Sequence, residues 1–265
     1  MRIWYQSMTG LRTLASYAET LAAHARRIVP DVEVAFGGVT ESRYHGRQPA
    51  EILRYSYAKH VLQSEAIAFC RRAEADGFDA VVLGSFSEPF LPEIRSLLDI
   101  PVISMPEVAL HVACTLGEHV GLVTLAPANV RRVKLLVRRH GLEHRVTTFH
   151  ALAKHLDEAD LDRAIGQPRA VVEDFVATAR QAVADGADVI VPSEGILNLI
   201  VHANGVKTID GATVQDCVGA ALLYAEFAVN LRRRAGIGVA RRGAYAKPPA
   251  DLLAELDAQR PGGKR

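Results

Sequence analysis

Short apolar runs alternate with longer stretches of helical spacing along nearly the whole chain, the signature of strands alternating with helices. Arg2 to Gln6 predicts a first strand, with the polar turn Ser7-Met8-Thr9-Gly10 after it. From Arg12 to Ile28, Leu14, Tyr17, Ala18, Leu21 and His24 recur at helical spacing. Val32 to Phe36 predicts a second strand, Glu51 to Ala75 one long helix, and Ala80 to Leu83 a third strand. Leu91 to Leu98 predicts a helix and Pro101 to Ser104 the start of a fourth strand. Between the second strand and the long helix, Gly37 to Pro49 has turn residues and no periodicity, a length that marks a lid or binding loop. The pattern then restarts. Helices are expected at Pro106–Leu116, Asn129–Arg139, Val171–Ala184, Ile196–Ala203 and Thr213–Arg234, and strands at Val120–Thr124, Val146–His150, Val189–Val191 and Lys207–Ile209. Lys154 to Arg169 is charged and suits a solvated surface, and Gly236 to Arg265 reads as a tail with a short helix near Pro249–Leu256.

One phrase occurs twice. AEADGFDAVVLGSFSEP, Ala73 to Pro89, aligns without gaps on AVADGADVIVPSEGILN, Ala182 to Asn198. Asp76 pairs with Asp185, Gly77 with Gly186, Asp79 with Asp188 and Val82 with Val191, which puts Ser85 opposite Glu194. Each copy reads as a helix end, a glycine stop and a strand buried on both faces. The expected architecture is α/β: two pseudo-symmetric lobes, each a mostly parallel sheet flanked by helices, with a ligand cleft between them. Lobe 1 is expected over residues 1–104 together with 209–235, lobe 2 over 105–208, and the tail over 236–265.

Composition narrows the function classes. A chain of 265 residues that is 49% hydrophobic is globular and buries a substantial core. Lys plus Arg number 31 against 30 Asp plus Glu, so nothing points to nucleic acid or a membrane surface as partner. No apolar stretch approaches the roughly 20 residues that span a bilayer. The start, MRIWYQSMTG, lacks the apolar segment of a signal peptide, and the expected compartment is the cytoplasm. Cys70, Cys114 and Cys217 lie far apart in helical patterns and read as buried small hydrophobes, not as a disulfide framework or metal site. There is no phosphate-binding glycine loop after a strand and no GxSxG elbow. Neither a metal nor a cofactor is expected.

Candidate chemistry gathers at the strand ends, where open α/β sheets place their ligands. Glu194 ends a buried strand and opens a helix; burial raises its pKa and the helix terminus lowers it. It reads as a base able to take a proton from carbon, or as a helix cap. Ser85 is an oxyanion donor or a cap, and Glu88 stands near the same mouth as a second acid. Ser7, Thr9 and Thr124 follow strands in turns that can hold a carboxylate, although turn chemistry alone also explains them. Tyr44 and His45 belong to the long loop and either reach over the cleft or stay solvated.

At its two repeated stretches the chain resembles the aspartate/glutamate/hydantoin racemase superfamily, hydantoin racemases most of all. The resemblance covers most of residues 1–235 and rests on MRIWYQSMT, DGFDAVVLGSFSEP, IPVISMPEVAL, GLVTLAP, GADVIVPSEG and TIDGA. It implies two α/β lobes, no cofactor, and a site between the lobes. There, two cysteines, one per lobe, exchange protons with opposite faces of a carbon next to a carbonyl or carboxylate. Here Ser85 stands at the first cysteine position and Glu194 at the second. Serine is too weak an acid for that task, so Glu194 alone fits chemistry with one proton donor. Relatives grip a carboxylate or ureide in the loops that correspond to Ser7, Thr9, Thr124 and Ala126. Gln6, Tyr44, His45, Phe86, Glu88, Ser193 and Gly195 complete the expected substrate contacts. The resemblance thus implies a cofactor-independent isomerase of racemase, epimerase or tautomerase type, acting on a small carboxylate or cyclic ureide. Glu194 would be its base, Ser85 its oxyanion donor, and Glu88 or His45 a second acid. The alternatives are a lyase that decarboxylates through an enolate, and a binding protein that has lost the chemistry. A homo-oligomer is expected.

Overall fold

The two matching phrases fold alike up to their strand ends and part there, with turns over 86–89 and a helix over 195–198. The computed structural model describes residues 1–47 and 49–258. Its first sheet holds β1 (Arg2–Gln6), β2 (Glu33–Gly37), β3 (Ala80–Leu83) and β4 (Val102–Ser104), all parallel, in the order β2-β1-β3-β4. The second holds β5 (Val120–Thr124), β6 (Val146–Ala151), β7 (Val189–Pro192), β8 (Thr208–Ile209) and β9 (Ala212–Val214) in the order β6-β5-β7-β9-β8. It is parallel except for the short β8–β9 pair. Around the first sheet run α1 (Ala15–Ile28), α2 (Pro49–Leu53), α3 (Ser56–Gln63), α4 (Glu65–Ala75) and α5 (Leu91–Leu97). Then come α6 (Met105–Leu116), α7 (Pro127–Arg139), α8 (Glu158–Ile165), α9 (Arg169–Ala184), α10 (Gly195–Ala203), α11 (Cys217–Ala235) and α12 (Ala250–Ala258).

The repeat is visible bond by bond. Gly77 N–H donates to the Glu74 carbonyl and Phe78 N–H to that of Ala73; Gly186 to Val183 and Ala187 to Ala182 repeat both bonds. Gly77 and Gly186 have φ of +81° and +100°, the left-handed region where glycine alone is unstrained. The Asp79 carboxylate accepts the Arg2 N–H, and that of Asp188 accepts the Glu118 and His119 N–H groups. Past the strands, Gly84 N–H donates to Gln6 and Ser193 N–H to Val123. β3 and β7 are buried throughout, as their unbroken apolar runs require.

One hydrophobic core runs through both sheets, from Ile3, Tyr5 and Val82 to Leu122, Ile190 and Val218. α6 and α11, which follow equivalent strands, form the most extensive helix–helix contact. A second layer on the far side of the first sheet contains Cys70, Val81, Leu83 and Ile94. Trp4 packs against this layer. Its ring meets Phe78 edge-on at 5.5 Å between centroids, and its Nε1 donates to Gln6 Oε1 at 3.0 Å.

Several elements differ from expectation. The long helix over 51–75 is three helices, interrupted at Arg54-Tyr55 and at Ser64. At the second break the Ser64 hydroxyl donates to the Val61 carbonyl, a local bond that competes with helix continuation. The structureless loop over 37–49 contains a one-turn 3-10 helix, Glu41–Tyr44, and Pro49 already opens α2, while Gln48 lies outside the described residues. The charged surface over 154–169 contains α8, opened by a capping box in which Asp157 accepts from Asp160 N–H and Asp160 from Asp157 N–H. The last long helix starts at Cys217 because residues 212–214 are β9. Hydrogen bonding thus places β8 and β9 in the second sheet, so the chain enters the first lobe's packing with α11, not at residue 209. The tail is held by Arg241 and Lys247 on Asp99, by Arg95 on the Tyr245 hydroxyl and by Arg71 on Asp257; residues 259–265 of the expected tail lie outside the described residues. Among the described residues no helix is long and apolar enough to cross a membrane.

Candidate active site

Strand β7 and helix α10 fix Glu194. Its backbone is extended (φ −160°, ψ 137°), and its Oε2 accepts the Ile196 and Leu197 N–H groups at 2.7 and 3.0 Å. Glu194 is therefore the N-cap of α10, and the side chain is only part-exposed. Burial pushes its carboxyl above the ordinary range, against the pull of the Leu197, Ile196 and Gly195 N–H groups and of Arg132. The capping reading thus holds, and a carboxyl raised by burial is compatible with the proton-accepting one.

Two phenols connect the tips of β3 and β7. A Cβ on Gly84, one residue before Ser85, would sit 2.2 Å from the Tyr5 ring. Only glycine lets this strand end pass under the ring. Tyr5 and Tyr17 are neighbours, and the Tyr17 hydroxyl lies 3.5 Å from the position of a Cβ on Gly195. Burial raises both phenols far above their ordinary values and the Glu194 charge adds to the effect, so they stay protonated donors.

Beside Glu194 sits a second carboxyl, Glu158, at the first turn of α8. Burial lifts it to about 7, aided by the charges of Glu194 and Asp157 and opposed by Arg132 and Thr9. Thr9 and Tyr44 come from the other lobe and are buried. Thr9 Oγ1 lies near both the Tyr44 hydroxyl and the Glu158 carboxyl, yet Thr9 Oγ1, Tyr44 Oη and Glu158 Oε2 all lack a well-formed hydrogen bond. Two cations border the group. Arg132 of α7 attracts both carboxylates, and Lys59 of α3 is brought down to about 8 by burial and by Arg132, against the attraction of Glu158.

Other expected residues are committed elsewhere. Ser85 Oγ pairs with Ser87 Oγ at 2.9 Å and accepts the Ser87 N–H, not with Glu194. The Glu88 side chain is fully buried and receives a hydrogen bond from His140 Nε2 at 2.7 Å. It ties the loop after β3 to the end of α7, so it is closed to a substrate. Gln6 Nε2 donates to the Ser7 carbonyl while Oε1 takes the Trp4 bond, and Ser193 Oγ donates to the Val123 carbonyl. These are strand-end fastenings. Phe86 belongs to the core, and Thr124 is buried at the end of β5. Ser7 is buried beside Tyr17, its Oγ accepting the Thr9 N–H at 3.3 Å. His45 is exposed, in a left-handed turn after Tyr44. Gly195 opens α10 directly after Glu194, and its N–H helps hold the Glu194 carboxyl down. Cys70 and Cys217 are buried and burial pushes both thiols up. No group of three or more His, Cys, Asp and Glu among the described residues could hold a metal ion.

Tyr5, Tyr17, Arg132, Lys59 and Glu158 are not in the sequence reading of the site. Tyr17 sits on the apolar face of its helix and reads as core. Glu158 alone carried a signal, the Asp157-x-x-Asp160 capping box, which marks a helix inside a stretch read as surface.

The family model described as Asp/Glu/hydantoin racemase matches residues 10–215. The chain belongs to this family. A hydantoin racemase of Paenarthrobacter aurescens is 27% identical over 241 residues, 88% of this chain and 93% of that one. The allantoin racemase structure from Pseudomonas fluorescens superposes with a TM-score of 0.72 at 26% identity, covering 94% of this chain and 97% of that one. An allantoin racemase from Klebsiella pneumoniae has the same fold at 23% identity, with a TM-score of 0.75 and 94% of each chain covered. As a member of the Asp/Glu/hydantoin racemase family the protein is a racemase-like enzyme with two α/β lobes.

Proposed function

We propose that the protein moves a proton at a carbon next to a carbonyl of a small cyclic ureide, with Glu194 as the base. The observation that carries this reading is a part-exposed carboxylate at the tip of β7, gripped by helix N–H groups yet raised by burial. Such a group is a stronger base than a solvated carboxylate. Glu194 takes the proton, the C–H electron pair moves onto the carbonyl oxygen, and the enolate collapses when a proton returns to carbon. The relatives' names supply the substrate class, hydantoin and allantoin. A decarboxylating lyase remains the second reading, favoured by one fact: Ser85 pairs with Ser87, which leaves no free acid at the tip of β3. The expected assembly of several copies in the cytoplasm belongs to the same proposal, supported by the exposed Leu223, Tyr224 and Phe227 of α11.

The test is solvent exchange. In D₂O, each enantiomer of 5-substituted hydantoins is incubated with the parent and with Glu194→Gln. The parent exchanges the carbon-bound proton, and the variant slows by about 10²–10⁴, the usual worth of a positioned base. A variant that exchanges at the parent's rate removes Glu194 from the mechanism.

A further inference from the structure

A site whose buried polar groups are already paired leaves a ligand little to bind. Here three such atoms are left without a well-formed partner in one place: Thr9 Oγ1, Tyr44 Oη and Glu158 Oε2. Native proteins satisfy most buried polar atoms, and leaving one unmet costs about 1–3 kcal/mol. Thr9 and Tyr44 are more than nine-tenths buried, both lie in the first lobe, and both stand beside Glu158 of the second. The three atoms differ in origin but share one capacity. A threonine hydroxyl, a tyrosine hydroxyl and a protonated carboxyl each donate one hydrogen bond.

We propose that Glu158, Thr9 and Tyr44 form a donor cup for a carbonyl oxygen of the substrate, and that Glu158 works there as a neutral carboxylic acid. This rests on the reading of Glu194 as the base and adds to it the group that receives the charge. When Glu194 removes the carbon-bound proton, negative charge grows on the carbonyl oxygen. Donors fixed in advance around that oxygen stabilise the transition state more than the ground state. An ionised Glu158 would do the opposite, repelling the enolate.

The surroundings hold Glu158 in the required form. From its own helix Asp157 faces it, from α10 Glu194, from α7 Arg132, from α3 Lys59, from α1 Tyr17 and from the 3-10 turn Tyr44. Burial and the two acids favour the proton; Arg132 and Thr9 oppose it, and the balance lies at about 7. Glu194, by contrast, has its Oε2 taken by two N–H groups that favour its charge. Two carboxyls in one cleft are thereby given opposite duties, one to accept and one to donate.

The probe is 5,5-dimethylhydantoin, an uncharged cyclic ureide with no proton to lose at its ring carbon, so it reports the cup and not the base. Its affinity for the parent is expected to hold below pH 7 and to weaken at least tenfold by pH 8.5. Glu158→Gln, whose amide still donates, binds it with no pH dependence over that range. In the hydantoin exchange assay the same variant keeps at least a tenth of the parent's rate and loses the decline above pH 7. Glu158→Ala loses most of both. Probe binding to the parent that ignores pH, or a Glu158→Gln profile identical to the parent's, overturns the donor role. So does exchange in Glu158→Gln abolished as completely as in Glu194→Gln, which would make Glu158 a proton carrier. If the parent binds the probe as expected but exchanges no hydantoin, the cup stands and the assignment of the base fails.

Discussion

At the scale of single residues, the site depends on an absence of atoms. Gly84 lies under the Tyr5 ring, and a Cβ there would sit 2.2 Å from it. The ring is fully buried and has nowhere to move. Gly84→Ala is therefore expected to destabilise the fold by about 1–3 kcal/mol, as overpacking does, measured by urea unfolding. It is also expected to slow hydantoin exchange, because Tyr5 bears on Tyr17 and Tyr17 on the helix turn that holds Glu194. Unchanged stability and unchanged exchange would show that the strand tip has room this geometry denies it. Ser85, next to it, matters less than its place in the repeat implies, since its hydroxyl is taken by Ser87.

At the scale of elements, one carboxylate fastens three helices. Asp216 caps α11 by accepting the Gly219 N–H at 2.9 Å, and its Oδ1 takes a hydrogen bond from Asn198 of α10. Asn198 Oδ1 in turn accepts the Cys217 N–H. From α1, His24 Nε2 stands 2.8 Å from Asp216 Oδ2. Burial pushes the Asp216 carboxyl up, but the contact and charge of His24, with His202 and Asn198, hold it far below its ordinary value of 3.8. A carboxyl lowered in the folded state adds stability above its unfolded value, and that stability is lost as the pH falls through the folded one. Asp216→Asn is expected to be less stable than the parent at pH 7, with the gap beginning to narrow below about pH 4 and still open at pH 3 in paired urea titrations, because the folded-state value lies well below the ordinary one. A gap that stays constant would deny the carboxylate this role. The same elements show what a sequence gives away. The β3 and β7 phrases were legible because each is local: a helix end, a glycine and an apolar run. The place of Glu194 between β7 and α10 was legible because an apolar run followed by a capping residue is also local. Glu158 was not, because its burial comes from α1 and α10 packing over α8, which no spacing within residues 154–169 records. Tyr17 read as core and lies in the core; helical periodicity does not record that its hydroxyl comes close to Gly195 at the start of α10. The breaks in the helix after the loop were hidden for a similar reason: Ser64 is an ordinary helix residue until its hydroxyl finds the Val61 carbonyl.

At the scale of the molecule, the two sheets share one apolar interior while the first sheet keeps a layer of its own behind it. The lobes are not independent bodies joined by a strap; α6 and α11 cross between them as part of the common core. The site draws on both, with Thr9, Tyr5, Tyr17 and Tyr44 from one side and Glu158, Glu194 and Arg132 from the other. Cooperative unfolding follows from that shared interior, although chains of this length often populate intermediates.

Trp4 makes this measurable. It is the sole tryptophan of the chain, and it lies on the outer side of the first sheet, edge-on to Phe78. Its emission therefore watches one lobe only, whereas far-ultraviolet circular dichroism averages the helices of both. With a common interior, the two signals are expected to share one urea midpoint. If the fluorescence shifts first, the outer layer comes away while the rest of the enzyme stays folded, and the molecule carries its own built-in lamp for seeing it happen.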